Sequence, residues 1–81
     1  MSVVEFQYNC SITIVQCNEN EKLGEIINNF ISKAKVQKKD IYFSYNGKSG
    51  VEFNEELTFS QMANSDDKQR KKMSVLVNNI N

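Results

Sequence analysis

Within the sixteen residues 20–35, apolar side chains recur at Leu23, Ile26, Ile27, Phe30, Ile31 and Ala34, three and four positions apart. That spacing puts them on one face, and the sequence predicts a single amphipathic helix over about 20–35. Elsewhere the period is two. Residues 3–8 alternate Val4, Phe6 and Tyr8 against Val3, Glu5 and Gln7, and 11–17 is a β-branched run with Ile12 and Ile14 opposite Thr13, Val15 and Cys17. Residues 41–45 set Ile41, Phe43 and Tyr45 against Tyr42 and Ser44, and 73–77 set Met73, Val75 and Val77 against Ser74 and Leu76.

The hairpin between the first two strands decides which side of the second is buried. A two-residue turn at Asn9 and Cys10 places Tyr8 opposite Ser11, Phe6 opposite Thr13 and Val4 opposite Val15, so that Thr13, Val15 and Cys17 face inward and Ile12 and Ile14 face water. A three-residue turn reverses the faces. The two-residue register is preferred because it leads Cys17 into the core just before the helix. Asn18-x-x-Glu21 resembles a capping box, with Glu19, Glu21 and Glu25 near the positive end of the helix dipole and Lys33 and Lys35 at the other. Gly24 inside a helix costs about 1 kcal/mol relative to alanine, which points either to tolerance or to a close approach by another element.

Asn46-Gly47 signals a chain reversal after the third strand, with a short partner strand around 51–53. Leu57, Phe59, Met62 and Ala63 are spaced like a turn or short helix, and the polar run 65–72 reads as a mobile surface loop. The domain is expected to occupy 1–78, with a polar end at 79–81 that has no evident role.

Composition narrows the function classes. A chain of 81 residues with 40% apolar and 25% charged side chains is one globular domain, burying about two thirds of its unfolded surface. No run approaches the roughly 18 apolar residues of a membrane span, and the start MSVVEF lacks a signal-peptide pattern, so an intracellular, cytoplasmic or nuclear domain without membrane contact is expected. Two cysteines, Cys10 and Cys17, with no histidine in the chain, give neither a disulfide framework nor a zinc site. No cofactor or metal is expected. The absence of histidine also removes the commonest general base. Asp40, Glu55 and Glu56 have no accompanying nucleophile, Cys10 has no nearby cation in sequence, and Cys17 reads as a small core residue, so no enzyme is predicted.

The order strand, strand, helix, strand, short strand or turn, strand resembles the ubiquitin-like β-grasp family along essentially the whole chain. Leu23, Ile26 and Phe30 in the helix, Val36 after it, and the stretch FSYNGK from Phe43 to Lys48 align to ubiquitin without a gap. Leu57 resembles the buried leucine before the family's short 3-10 segment, and the final VLV resembles its last strand. The resemblance implies an α+β fold in which a mixed four- to five-stranded sheet packs on one helix. Conjugated members close with two glycines; this chain closes Asn78-Asn79-Ile80-Asn81, which argues against conjugation as it stands. The family's partner-binding patch maps to Tyr8, Ser44 and Leu76, of which only Leu76 is a close chemical match, with Gly47 and Lys48 matching the adjoining residues.

The expectation is therefore a non-catalytic protein-interaction module, monomeric as an isolated domain and part of a larger protein. Tyr8, Tyr42, Ser44, Gly47, Lys48 and Leu76 are the candidate surface, and the edge of the second strand at Ile12 and Ile14 is the alternative. A ubiquitin-like modifier with its mature end outside this sequence is a second reading. Nucleic-acid binding is a third, motivated by Tyr42, Tyr45 and the basic stretches Lys33–Lys39 and Lys68–Lys72, although in a β-grasp these stretches fall at opposite ends.

Overall fold

The computed structural model describes residues 1–45 and 53–80. Strand β1 (Ser2–Tyr8) turns at Asn9 and Cys10 into β2 (Ser11–Cys17), followed by helix α1 (Leu23–Ala34), a 3-10 turn at Lys38–Asp40, and β3 (Ile41–Tyr45). Two short helices, α2 (Phe59–Met62) and α3 (Ser65–Arg70), then lead into β4 (Lys72–Asn79). The sheet runs β2-β1-β4-β3, with β1 and β4 parallel at the centre and antiparallel pairs outside. The turn at Asn46-Gly47 and most of the expected strand around 51–53 lie outside the described residues.

The hairpin has the two-residue register: Tyr8 pairs with Ser11, Phe6 with Thr13 and Val4 with Val15. Asn9 and Cys10 both take positive φ, 48° and 66°, as a tight hairpin turn requires when its twist must match that of the strands. Val15 and Cys17 are consequently buried, and Ile12 and Ile14 are exposed.

One side of the sheet packs on α1. Leu23, Ile26, Ile27 and Phe30 meet Val4, Phe6, Val15, Met73, Val75 and Val77 in a single core. Phe30 stacks on Phe6 with centroids 4.5 Å apart, and Phe43 meets both rings edge-on at 5.9 and 6.0 Å. Such ring pairs add about 1 kcal/mol each to the burial of their area. Phe53 continues the cluster against Phe43, and Val36 and Leu57 close its margins.

Helix α1 starts three residues later than its polar flank suggested. Asn18 and Glu21 do interact, the Asn18 N–H donating to the Glu21 carboxylate at 3.3 Å, but they close a turn before the helix. The N-cap is Lys22, which supplies no side-chain cap, and only Glu25 of the three acidic residues falls in the first turn. The first helical N–H groups are satisfied from outside: Leu23 donates to the Leu57 carbonyl at 2.8 Å and Gly24 to that of Glu55 at 3.0 Å. A Cβ on residue 24 would rest 3.4 Å from the same Glu55 oxygen. Gly24 therefore marks a close approach by another element, and an ordered segment, not a local motif, caps the helix.

Two further expectations are corrected. Residues 65–70 form helix α3, not a loop, with the Asn64 side chain accepting the Asp67 N–H as an N-cap. Strand β4 extends past Val77, because Asn78 and Asn79 pair with Tyr42 and Ile41. Asn79 also accepts the Tyr8 hydroxyl at 2.9 Å, and the Ile80 N–H donates to the Asp40 carbonyl at 2.9 Å. Asn79 thus ties the hairpin turn to the far end of β4, its Nδ2 also donating to Asn9 Oδ1 at 3.4 Å.

Candidate functional site

The face of the sheet turned away from α1 carries alternate residues of the same strands, and its register defines a surface. Ile12 pairs with Gln7, Gln7 with Leu76, and Leu76 with Ser44, giving one row across all four strands. Ile14 lies two residues along β2 from Ile12 and pairs with Glu5; Tyr42 lies two along β3 from Ser44 and pairs with Asn78. Among the described residues six large apolar side chains are exposed: Met1, Ile12, Ile14, Tyr42, Leu76 and Ile80. Four of them lie on this face, so both surfaces considered from sequence lie on the same side of the sheet. Between them stand amides and hydroxyls from Gln7, Ser44, Ser74 and Asn78, with Asn78 donating to the Ser44 hydroxyl at 3.1 Å, and beside Ile14 stands Glu5, paired with Lys72.

Tyr8 belongs elsewhere. It shares the side of Val4 and Phe6, packs against the core margin and spends its hydroxyl on Asn79, so it does not join Tyr42, Ser44 and Leu76. Gly47 and Lys48 lie outside the described residues. The free edge of β2 is partly occupied, because the Lys33 ammonium on α1 donates to the Ile14 carbonyl at 3.0 Å, a device that blunts edge pairing.

The described residues missed from sequence are Asp67 and Arg70. Asp67 is the one buried side chain of α3. Its Oδ2 accepts the Tyr45 hydroxyl at 2.6 Å, its Oδ1 receives Arg70, and the Tyr45 oxygen accepts the Asn64 N–H at 2.9 Å. Burial, reinforced by the hydrogen bond to Asp67, pushes the Tyr45 hydroxyl up to about 12. Tyr45 is thus an internal anchor and not a stacking platform for bases. A shallow cleft of about 300 Å³ joins this network to the open face, lined by Gln7, Ser74 and Leu76 on one side and Asp67 and Arg70 on the other. The local signals for α3 were an Asn cap, acids in its first turn and bases in its last.

The remaining chemistry-bearing side chains serve other ends. Burial and the charge of Glu21 raise the Cys17 thiol to about 11, which holds it as an unreactive core residue, while Cys10 is exposed in the hairpin turn. Glu55 pairs with Lys38 at 2.6 Å and Glu56 with Lys22 at 3.7 Å, in the segment that caps α1. Among the described residues no group of histidine, cysteine or acidic side chains is arranged to hold a metal ion, and no helix is long and apolar enough to cross a membrane. The two basic stretches are separated along the sheet: Lys72 pairs with Val3 at the start of β1, whereas Lys38 and Lys39 adjoin Asp40, beside the end of β4.

No family model and no curated protein matches the sequence. Among solved structures, a chain in the crystal structure of ATBAG1 in complex with HSP70 is similar over 98% of this chain and 40% of that one, with a TM-score of 0.71 at 12% identity. This chain thus spans less than half the length of that neighbour. A ubiquitin-like protein from the hyperthermophilic archaea Caldiarchaeum subterraneum is matched over 98% of this chain and 94% of its own, at 11% identity and a TM-score of 0.48. With one helix held across a mixed sheet ordered β2-β1-β4-β3, and with that architecture shared along nearly the whole chain, the molecule has the ubiquitin-like β-grasp fold.

Proposed function

We propose that this domain is a non-catalytic protein-interaction module that engages a partner protein through the open face of its sheet. The observation that carries the reading is the presence of Ile12, Ile14, Tyr42 and Leu76 together on that face, set among amides and hydroxyls and, beside Ile14, the mutually paired Glu5 and Lys72. A soluble protein keeps contiguous apolar surface small, and aromatic and aliphatic side chains set among polar neighbours are the composition of an interface core. The likeness to part of a longer chain, in a crystal structure of ATBAG1 with HSP70, supports a module working within a larger protein that meets protein partners. The separation of the basic stretches and the burial of Tyr45 favour a protein over a nucleic acid as partner, since phosphate tracking needs one continuous cationic surface.

The test is affinity capture with three forms of the domain. Wild type and an Asn28→Asp control on the solvent side of α1 should retain the same proteins, and Leu76→Asp/Tyr42→Asp should lose them. Equal retention by all three would overturn the reading.

A further inference from the structure

Among the described residues, the two ion pairs nearest the open face share an asymmetry. In the Lys72–Glu5 pair at 3.1 Å the lysine side chain is 44% exposed and the glutamate 19%. In the Arg70–Asp67 pair the arginine is 65% exposed and the aspartate 9%. Each carboxylate is turned in and each cation out, so the charge presented to solvent there is positive, although each pair is formally neutral. On α3 the exposed Asp66 and Lys68 offset each other in formal charge. Arg70 is also oriented, because one Nη is held by a buried carboxylate that is itself fixed by Tyr45. A guanidinium carries five N–H donors in a planar fork, and one held in place loses less conformational freedom on binding. It stands across the cleft from Leu76, Gln7 and Ser74.

We infer that α3 builds a carboxylate subsite at the rim of the open face, in which Arg70 receives an acidic side chain of the partner protein whose apolar side chains cover Leu76 and Tyr42. The inference rests on the open face being the binding surface, and it names the partner's chemistry: an acidic residue beside apolar ones. A basic partner segment would meet Arg70 and Lys72 as like charges, which disfavours it.

The probes are two dipeptides that differ only in charge, N-acetyl-leucyl-glutamyl amide and its glutamine counterpart, titrated into the nitrogen-15-labelled 81-residue chain to tens of millimolar. The glutamate peptide should shift the Arg70 Nε–H and the backbone amides of Gln7, Ser74 and Leu76. Its shifts should be about threefold or more larger than those from the glutamine peptide and should shrink with added salt. Arg70→Gln should bring the two peptides level, and Arg70→Lys should keep part of the difference. Because the peptides are first compared on the wild-type chain, the test survives a poorly folded variant. Equal shifts at Leu76 from both peptides would overturn the subsite while leaving an apolar binding face. No shift at Arg70 with either would also overturn it, and the open-face reading would still be decided separately by the aspartate capture experiment.

Discussion

The two faces of this sheet are built from alternate residues of the same four strands, yet their apolar side chains have different surroundings. On one face Val4, Phe6, Val15, Met73, Val75 and Val77 are buried against α1; on the other Ile12, Ile14, Tyr42 and Leu76 are exposed among amides, hydroxyls and the Glu5–Lys72 ion pair. Burying an aliphatic or aromatic side chain contributes about 2 kcal/mol, so the first set holds the fold. The second set, with exposures from 41% at Leu76 to 59% at Ile12, contributes less to folding and leaves about half of its area in water. The contrast separates residues that can be changed without unfolding the domain from those that cannot.

Adjacent residues of β4 give the harshest comparison. Val75→Asp forces a carboxylate into the core and should cost about 4 kcal/mol or more, near the whole stability of a domain this small. Leu76→Asp, one position on and facing the other way, should change stability by less than about 1 kcal/mol. Urea unfolding of both variants would show whether the faces differ as stated; similar losses would erase the distinction. Phe30→Ala, which removes the ring stacked on Phe6, should cost about 3–5 kcal/mol in the same measurement.

How much of this was legible in the sequence follows from what each element buries. Helix α1 was visible because it presents four apolar side chains to the core at helical spacing. Helix α3 was not, because its one buried residue is Asp67 and a polar anchor leaves no hydrophobic period. The hairpin register was readable from the two-residue turn and the need to bury Cys17. The length of β4 was hidden by Asn78 and Asn79, poor strand formers that here complete a ladder with β3 and bond to Ser44, Tyr8 and Asn9. The helix start was misplaced because its donors are satisfied by Leu57 and Glu55, more than thirty positions away, a contact that no local capping pattern announces. Of the candidate surface, Tyr42, Ser44 and Leu76 follow from alternation, whereas Tyr8 was placed by analogy against its own alternation with Phe6.

Smaller effects sharpen the contrast between apolar and polar anchoring. Tyr45→Phe leaves Asp67 and the Asn64 N–H without the hydroxyl and should cost about 1–3 kcal/mol. The Tyr45 hydroxyl ionises near 10 when unfolded and near 12 in the fold. Through that window the unfolded state holds fewer protons, so stability falls as pH rises; the contribution is intact below the lower value and gone above the higher. The wild type should therefore lose stability more steeply than Tyr45→Phe over that range, and parallel pH profiles would contradict it. Smallest of all, Lys35→Gly relieves a left-handed residue at the end of α1, where φ is 57°, and should raise stability by up to about 1 kcal/mol. A loss there would mean that the lysine side chain contributes more than the backbone strain costs.

The claim that the open face receives the partner is tested most directly by placing a photo-crosslinking residue, p-benzoylphenylalanine, singly at position 42, 76 or 28 and irradiating in cell extract. Positions 42 and 76 lie on the open face, and Asn28 is exposed on α1 behind the other face. Specific adducts from 42 and 76 with none from 28 are the expected result. Adducts from 28 alone, or equally from all three, would contradict the account.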